Sequence, residues 1–144
     1  MGKQPKQCPV RISQGKVNDS LHRWQGEEHD AEVIFGGLAD AGADYIHVTE
    51  SEASAPAFAS SRFTLVHFAR KYAPKTIVIA NGNLHVDQQA IAALEDGADI
   101  ISVGRAALAN PDLPHSFATG SPLKAFDSQM LGPIANIKEE ELLG

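Results

Sequence analysis

A single cysteine, Cys8, stands in a chain of 144 residues, which excludes an internal disulfide and favours a reducing, intracellular setting. No block of lysine or arginine occurs and the formal net charge is -6, so neither nonspecific nucleic-acid binding nor a basic membrane-binding surface is expected. The first seven residues are polar and lysine-containing with no apolar run behind them, so neither a signal peptide nor a membrane-spanning helix is read there. The expected location is the cytoplasm. The 6 histidines (His22, His29, His47, His67, His85, His115) never fall three or four residues apart and no cysteine cluster accompanies them, so no metal site is expected. What these absences leave is a domain that meets a small molecule.

The chain has the means to fold around one core, with 43% hydrophobic and 21% charged residues. Four β-rich runs recur, over residues 9–13, 44–49, 76–80 and 99–103. Helical patterns fill the gaps. The first, 27–41, is acidic at its start, carries Val33, Ile34, Leu38 and Ala41 at helical spacing, and meets Gly42 at its end. The second covers 62–72 and is stopped by Pro74; the third opens with Asp87 as its cap, carries Ile91 and Leu94 on one face, and ends at Gly97. Strands alternating with helices predict βα units and a parallel sheet. The stretch from Ala41 to Val48 is echoed from Asp96 to Val103, sharing a Gly-Ala-Asp core and a terminal valine. Shared ancestry and a well-suited helix-to-strand connector both account for it.

Alternation in the second strand puts Tyr45, His47 and Thr49 on one face and Ile46 and Val48 on the other, while the first strand opposes Arg11 and Ser13 to Val10 and Ile12. The apolar face belongs under the helices. An arginine buried on the other face requires a partner, since an unpaired buried charge costs about 2–5 kcal/mol. A polar ligand, Glu50 and a backbone carbonyl all qualify. Two strand ends then carry loops suited to an anion. Ser102-Val103-Gly104-Arg105-Ala106-Ala107 breaks an apolar strand at a glycine and opens an alanine-rich helix, and Ala80-Asn81-Gly82-Asn83 makes a second break after an apolar strand. Glycine lets a ligand approach the backbone, free N–H groups in a first helical turn attract negative charge, and an arginine can bind phosphate with two prongs.

Four segments resemble the old yellow enzyme family of FMN-dependent oxidoreductases: Val10-Arg11-Ile12-Ser13, Asp44 to Glu50, Ile79-Ala80-Asn81-Gly82-Asn83, and Val103 to Pro111. Their order and spacing are similar to strands five to eight of the family's (β/α)8 barrel, with the likeness running from residue 9 to 138. The resemblance implies an α/β fold, a (β/α)4 half of a TIM barrel, divided into an N-terminal extension (1–8), a half-barrel flavin-binding domain (9–138) and a C-terminal tail (139–144). It further implies FMN as cofactor and NAD(P)H as reductant. Arg11 would lie at the pyrimidine edge of the flavin and offset the negative charge that develops on reduction, a catalytic and a binding role together. Asn81, Gly82, Asn83, Gly104 and Arg105 would bind the cofactor, Gly82, Asn83, Gly104 and Arg105 at its phosphate, in keeping with phosphate sites after strands seven and eight of such barrels. The family usually has glycine where this chain has Asn83; asparagine tolerates positive φ better than most residues.

The resemblance also marks what this stretch does not carry. The family's polar pair that grips the substrate carbonyl sits after strand four, with a proton-donating tyrosine in the same half, and neither segment is matched. Two readings follow, an FMN-dependent oxidoreductase completed by self-association or by a partner half, and a noncatalytic half-barrel that binds FMN or another phosphate ligand. A homodimer about a two-fold axis would restore eight parallel strands. Trp24, in the loop after the first strand, either covers a ring or packs against the next helix, and Phe58 poses the same choice. Residues 51–61 are expected to form a mobile lid. Residues 112–126 read as a short helix and turn, and 134–143 as an acidic terminal segment.

Overall fold

The computed structural model describes residues 8–15, 18–19 and 21–134. The chain divides into two compact units, Met1–Val103 and Gly104–Gly144. Residues 1–7 of the expected extension, the expected tail, and all but the first residue of the acidic segment fall outside the described residues.

In the first unit, β1 (Pro9–Ile12), β2 (Tyr45–Thr49), β3 (Ile77–Asn81) and β4 (Ile100–Ser102) alternate with α1 (Glu28–Asp40), α2 (Leu65–Tyr72) and α3 (Asp87–Glu95). The strands form one sheet in the order β1-β2-β3-β4. Every pair is parallel, so each chain reversal needs a helical crossover. Register follows the alternation seen in the sequence. Ile46, Val48, Val78 and Ala80 lie on one face and are buried, with Ile12 and Ile101 packed beside them. Phe35 of α1 and Leu65, Val66, Phe68 and Ala69 of α2 close over that face to complete the core. The other face carries Arg11, His47, Thr49, Ile79, Asn81 and Ser102.

Both Gly-Ala-Asp segments do the same physical work. Gly42 and Gly97 take φ of 81° and 112°, the left-handed turn that ends α1 and α3. The next amide reaches back across the turn in each case, Ala43 to Leu38 and Ala98 to Ala93, both at 3.0 Å. The aspartate then fastens its strand to the neighbour. Asp44 accepts from the Cys8 amide at 2.6 Å, and Asp99 accepts from the Val78 amide at 2.8 Å. Each carboxylate thereby fixes the register of the strand that follows it.

Two helix starts differ from the sequence expectation. α2 begins at Leu65, not at residue 62, because Thr64 caps it, its hydroxyl accepting from the His67 amide at 3.1 Å. Asp87 is the first residue of α3 rather than its cap; Val86 holds that position with no side-chain bond. The aspartate still favours the helix start, since a negative charge in the first turn complements the helix dipole.

The long loop after β2 is anchored to the fold. Ala53, Ala57 and Phe58 are buried in the core. The Ala53 amide donates to the Gly82 carbonyl at 3.0 Å, and the Ala57 amide to Phe63 at 2.8 Å. A mobile lid over 51–61 is therefore not what these residues build, since opening it would expose Phe58. Trp24 packs against Phe35 and Phe58, with ring centroids 5.9 and 6.4 Å apart. Packing is thus the observed use of both aromatic residues.

The second unit holds α4 (Arg105–Ala109), α5 (Leu113–Thr119) and a 3-10 turn, Ser128–Leu131. Asn110 organises it. Its side-chain nitrogen donates to the carbonyls of Ala106 and Lys124, and its oxygen accepts from the Lys124 amide. A buried amide satisfied on both ends ties α4 to the segment that follows α5.

Candidate functional site

The site begins with the inner face of the sheet, the face that the helices leave open. Arg11 pairs in register with His47, and His47 with Ile79. One step toward the C-terminal end, Thr49 pairs with Asn81 and Asn81 with Ser102. A positive charge and a row of polar groups therefore converge where the strands end. Arg11 is exposed and its Nε donates to Thr49 Oγ1 at 3.0 Å. Glu50, one of the partners open to Arg11 in the sequence, is engaged elsewhere, accepting from the Gln14 amide at 2.8 Å and from Gly15. Burial pushes the Glu50 carboxyl above its ordinary range against the pull of those bonds and of the Arg23 charge.

His47 sits beside Arg11 with its Nε2 buried and without a hydrogen-bond partner among the described residues. Desolvation lowers its pKa, and the Arg11 charge lowers it further. The imidazole is thus held neutral, which leaves Arg11 as the positive charge of this layer.

β3 ends in a turn built for close approach. Gly82 has φ of 142° and Asn83 has φ of 57°, both in the region that glycine and asparagine tolerate. Gly82 is required for a packing reason as well, because a Cβ there would stand 2.4 Å from the Glu50 carbonyl oxygen. The amides of Asn83 and Leu84 donate to no described residue. Successive free amides in such a turn form a concave donor site for an anion. The Asn83 side chain donates to Glu52 at 2.9 Å, so what Asn83 offers a ligand is its amide. Burial raises the Glu52 carboxyl, but bonds from Ser54 and Asn83 and the nearby His85 outweigh this and hold it below the ordinary value. Asn81 spends its side-chain nitrogen on the Ser102 carbonyl at 2.8 Å, spanning β3 and β4.

Arg11, Asn81, Gly82 and Asn83 thus belong to the first unit and gather on the inner face and at the C-terminal end of its sheet. Gly104 and Arg105 open the second unit. Gly104 precedes α4 with open space around the position of a Cβ, and Arg105 is exposed with no hydrogen bond or ion pair among the described residues. No group of three or more His, Cys, Asp and Glu side chains that could hold a metal occurs among the described residues. No described helix is long and apolar enough to cross a membrane.

A family model described as NADH:flavin oxidoreductase / NADH oxidase matches residues 28–124. The chain belongs to this family. Among solved structures, the old yellow enzyme homologue from Zymomonas mobilis (NCR) is similar with a TM-score of 0.69 and 24% identity, over 92% of this chain and 36% of that one. Morphinone reductase in complex with tetrahydroNAD gives 0.67 and 24% identity, over 92% of this chain and 33% of that one. A variant of NCR gives 0.62 and 28% identity, over 81% and 36%. The chain therefore spans about a third of the length of these structures, and its four parallel strands are half of a TIM barrel. No curated relative matches the chain.

Sequence reasoning placed Thr49 on the inner face but assigned it no task, and it passed over Glu52 and Gln14. Alternation was signal enough for the face of Thr49. No local pattern announces the Glu52–Asn83 bond or the burial of Gln14, which donates to the Ala57 carbonyl and accepts from the Trp24 amide.

Proposed function

We propose that this member of the NADH:flavin oxidoreductase family binds FMN at the C-terminal end of its parallel sheet, within a flavin-binding region spanning 9–138, and serves an NAD(P)H-dependent flavin oxidoreductase. The observation that carries the proposal is the left-handed turn at Gly82 and Asn83, with its free amides, at the sheet end toward which Arg11 is drawn. The residues suit the group. In the first unit the two amides suit a phosphate, and Arg11, one row from Asn81, suits the pyrimidine edge; in the second unit Gly104 leaves an open approach and Arg105 offers a charge of the kind a phosphate takes. Bound FMN would supply hydride transfer from a reduced nicotinamide to an acceptor such as an activated alkene. Arg11 would hold its positive charge beside the ring where negative charge accumulates, and neutral His47 leaves that charge uncontested. A nicotinamide ligand accompanies morphinone reductase in its solved structure, and we extend NAD(P)H to this chain from that family likeness.

A second reading is a noncatalytic half-barrel that holds FMN or another phosphate ligand, which the amides of the Gly82–Asn83 turn suit without any reaction following. Under either reading β1 and β4 are the edges of the described sheet, and a homodimer pairing β4 of one copy with β1 of the other would form eight parallel strands. We take the chain as cytoplasmic on the strength of its single cysteine.

The test is size-exclusion light scattering of the purified chain, read at flavin and protein wavelengths with and without FMN. A dimer that carries or acquires flavin and oxidises NAD(P)H supports the oxidoreductase. Flavin colour without turnover supports the binding module, and a monomer that binds FMN removes the dimer alone. A colourless species indifferent to FMN removes the oxidoreductase; if phosphate raises its thermal stability the binding module stands, and if phosphate has no effect both functions fall.

A further inference from the structure

Arg11 can serve a ligand only if its guanidinium is aimed. A flexible, exposed arginine loses side-chain entropy on binding, and each bond that fixes it beforehand reduces that loss. Among the described residues, three polar groups near Arg11 are committed or silent. Glu50 accepts from Gln14 and Gly15, Asn81 donates to Ser102, and His47 carries no hydrogen bond at its buried Nε2. The bond that Arg11 does make is to Thr49 Oγ1, at 3.0 Å.

The position of that bond matters. Arg11 is in register with His47, and Thr49 stands on the same face of β2 one step nearer the C-terminal end, in the row of Asn81. The hydroxyl therefore draws the guanidinium away from His47 and toward the end of the sheet where the Gly82–Asn83 turn lies. It engages Nε, the single inner nitrogen, and leaves the two terminal nitrogens without a partner among the described residues. Those two form the fork that binds a planar, electron-rich edge with two parallel bonds.

We infer that Thr49 is a positioning residue for Arg11, holding Nε so that the terminal nitrogens face the anionic or carbonyl edge of a planar heterocycle. The inference rests on the FMN reading for the identity of that heterocycle, and on the Arg11–Thr49 geometry for the rest. Thr49→Val keeps the shape and β-branching of the side chain and removes the acceptor; Thr49→Ser keeps the acceptor.

Two measurements on the full chain test it. The first needs no cofactor: exchange of the Arg11 Nε–H with water, followed by ¹⁵N NMR, is slowed in the wild type and in Thr49→Ser and becomes several-fold faster in Thr49→Val. Equal rates in all three overturn the inference. The second is FMN affinity by fluorescence quenching together with the reduction potential of the bound flavin. Thr49→Val weakens FMN by about fivefold, the scale of one net hydrogen bond, and lowers the potential in the direction of Arg11→Ala, while Thr49→Ser restores both. Wild-type affinity and potential in Thr49→Val, with Arg11→Ala impaired, overturn the positioning role and leave the proposed function standing. A wild-type chain that takes no FMN while its Nε–H is protected removes the proposed function and, with it, the ligand part of this inference.

Discussion

The two faces of the sheet are built from alternate residues of the same strands and do opposite things. On the helix side, Ile46, Val48, Val78 and Ala80 are almost completely covered. On the inner side, Ile77 and Ile100 keep 47% and 49% of their surface exposed, Arg11 is exposed, and a buried nitrogen of His47 has no partner among the described residues. Stability is concentrated on one face and the capacity to bind on the other. The separation is possible because a strand reverses its side chains at every residue, so the two faces can be varied almost independently.

The strongest way to break this comparison is to cut into the covered face. Ile46→Ala should cost about 2–5 kcal/mol of stability, read as the shift of a urea unfolding midpoint. A cost no larger than that of an inner-face substitution would mean that the two faces share the load. Gly82→Ala comes next, at about 3 kcal/mol, because its φ of 142° is strained for alanine and its Cβ would strike the Glu50 carbonyl. A stable, soluble Gly82→Ala chain would show that the turn can move away from the loop after β2.

Binding sharpens the contrast from the other side. Arg105→Ala should weaken FMN by about 1.5–3 kcal/mol in a fluorescence titration, with little change in unfolding, since the side chain is exposed. Unchanged affinity would put the phosphate elsewhere. Arg11→Ala should alter stability by no more than about 0.5 kcal/mol and still bind FMN, while lowering the reduction potential of the bound flavin as its reduced form loses a cation. An unaffected potential would return Arg11 to a purely structural role.

The smallest effect is one of pH. Burial, aided by Arg11, lowers the His47 pKa below its ordinary 6.5, so the unfolded chain takes up a proton on this group before the folded chain does. The contribution of His47 is therefore constant above 6.5 and falls as the pH drops from 6.5 through the lowered value. Measured from pH 8 to 5, the stability of the wild type relative to His47→Asn should decline below 6.5. A flat difference would mean that the imidazole is as well hydrated in the fold as outside it.

Much of the covered face was legible before any coordinates. Alternation identified Ile46 and Val48, and Gly42 and Gly97 marked two helix ends that the structure places within a residue or two. The starts of α2 and α3 were less legible, because Thr64 and Val86 compete with nearby residues for the cap on small energy differences. On the inner face the sequence supplied the residue types and the face but not the partners. Thr49 bonds a residue 38 positions away, Gln14 meets Glu50 across 36, and Asn83 meets Glu52 across 31. The expected lid over 51–61 failed for the same reason, since a small, polar composition gave no sign that Phe58 would be drawn into the core.

By itself, then, the sequence determined the alternation of strands and helices, the parallel sheet and the division of each strand into an apolar and a polar side, because these follow from residue periods and local backbone preferences. Only the tertiary structure decided that Asp44 and Asp99 stitch neighbouring strands, that Arg11 leans on Thr49, and that Asn83 presents its amide while Glu52 takes its side chain. Those choices are contacts between segments distant in the chain, set by the register of the sheet once its covered face has packed.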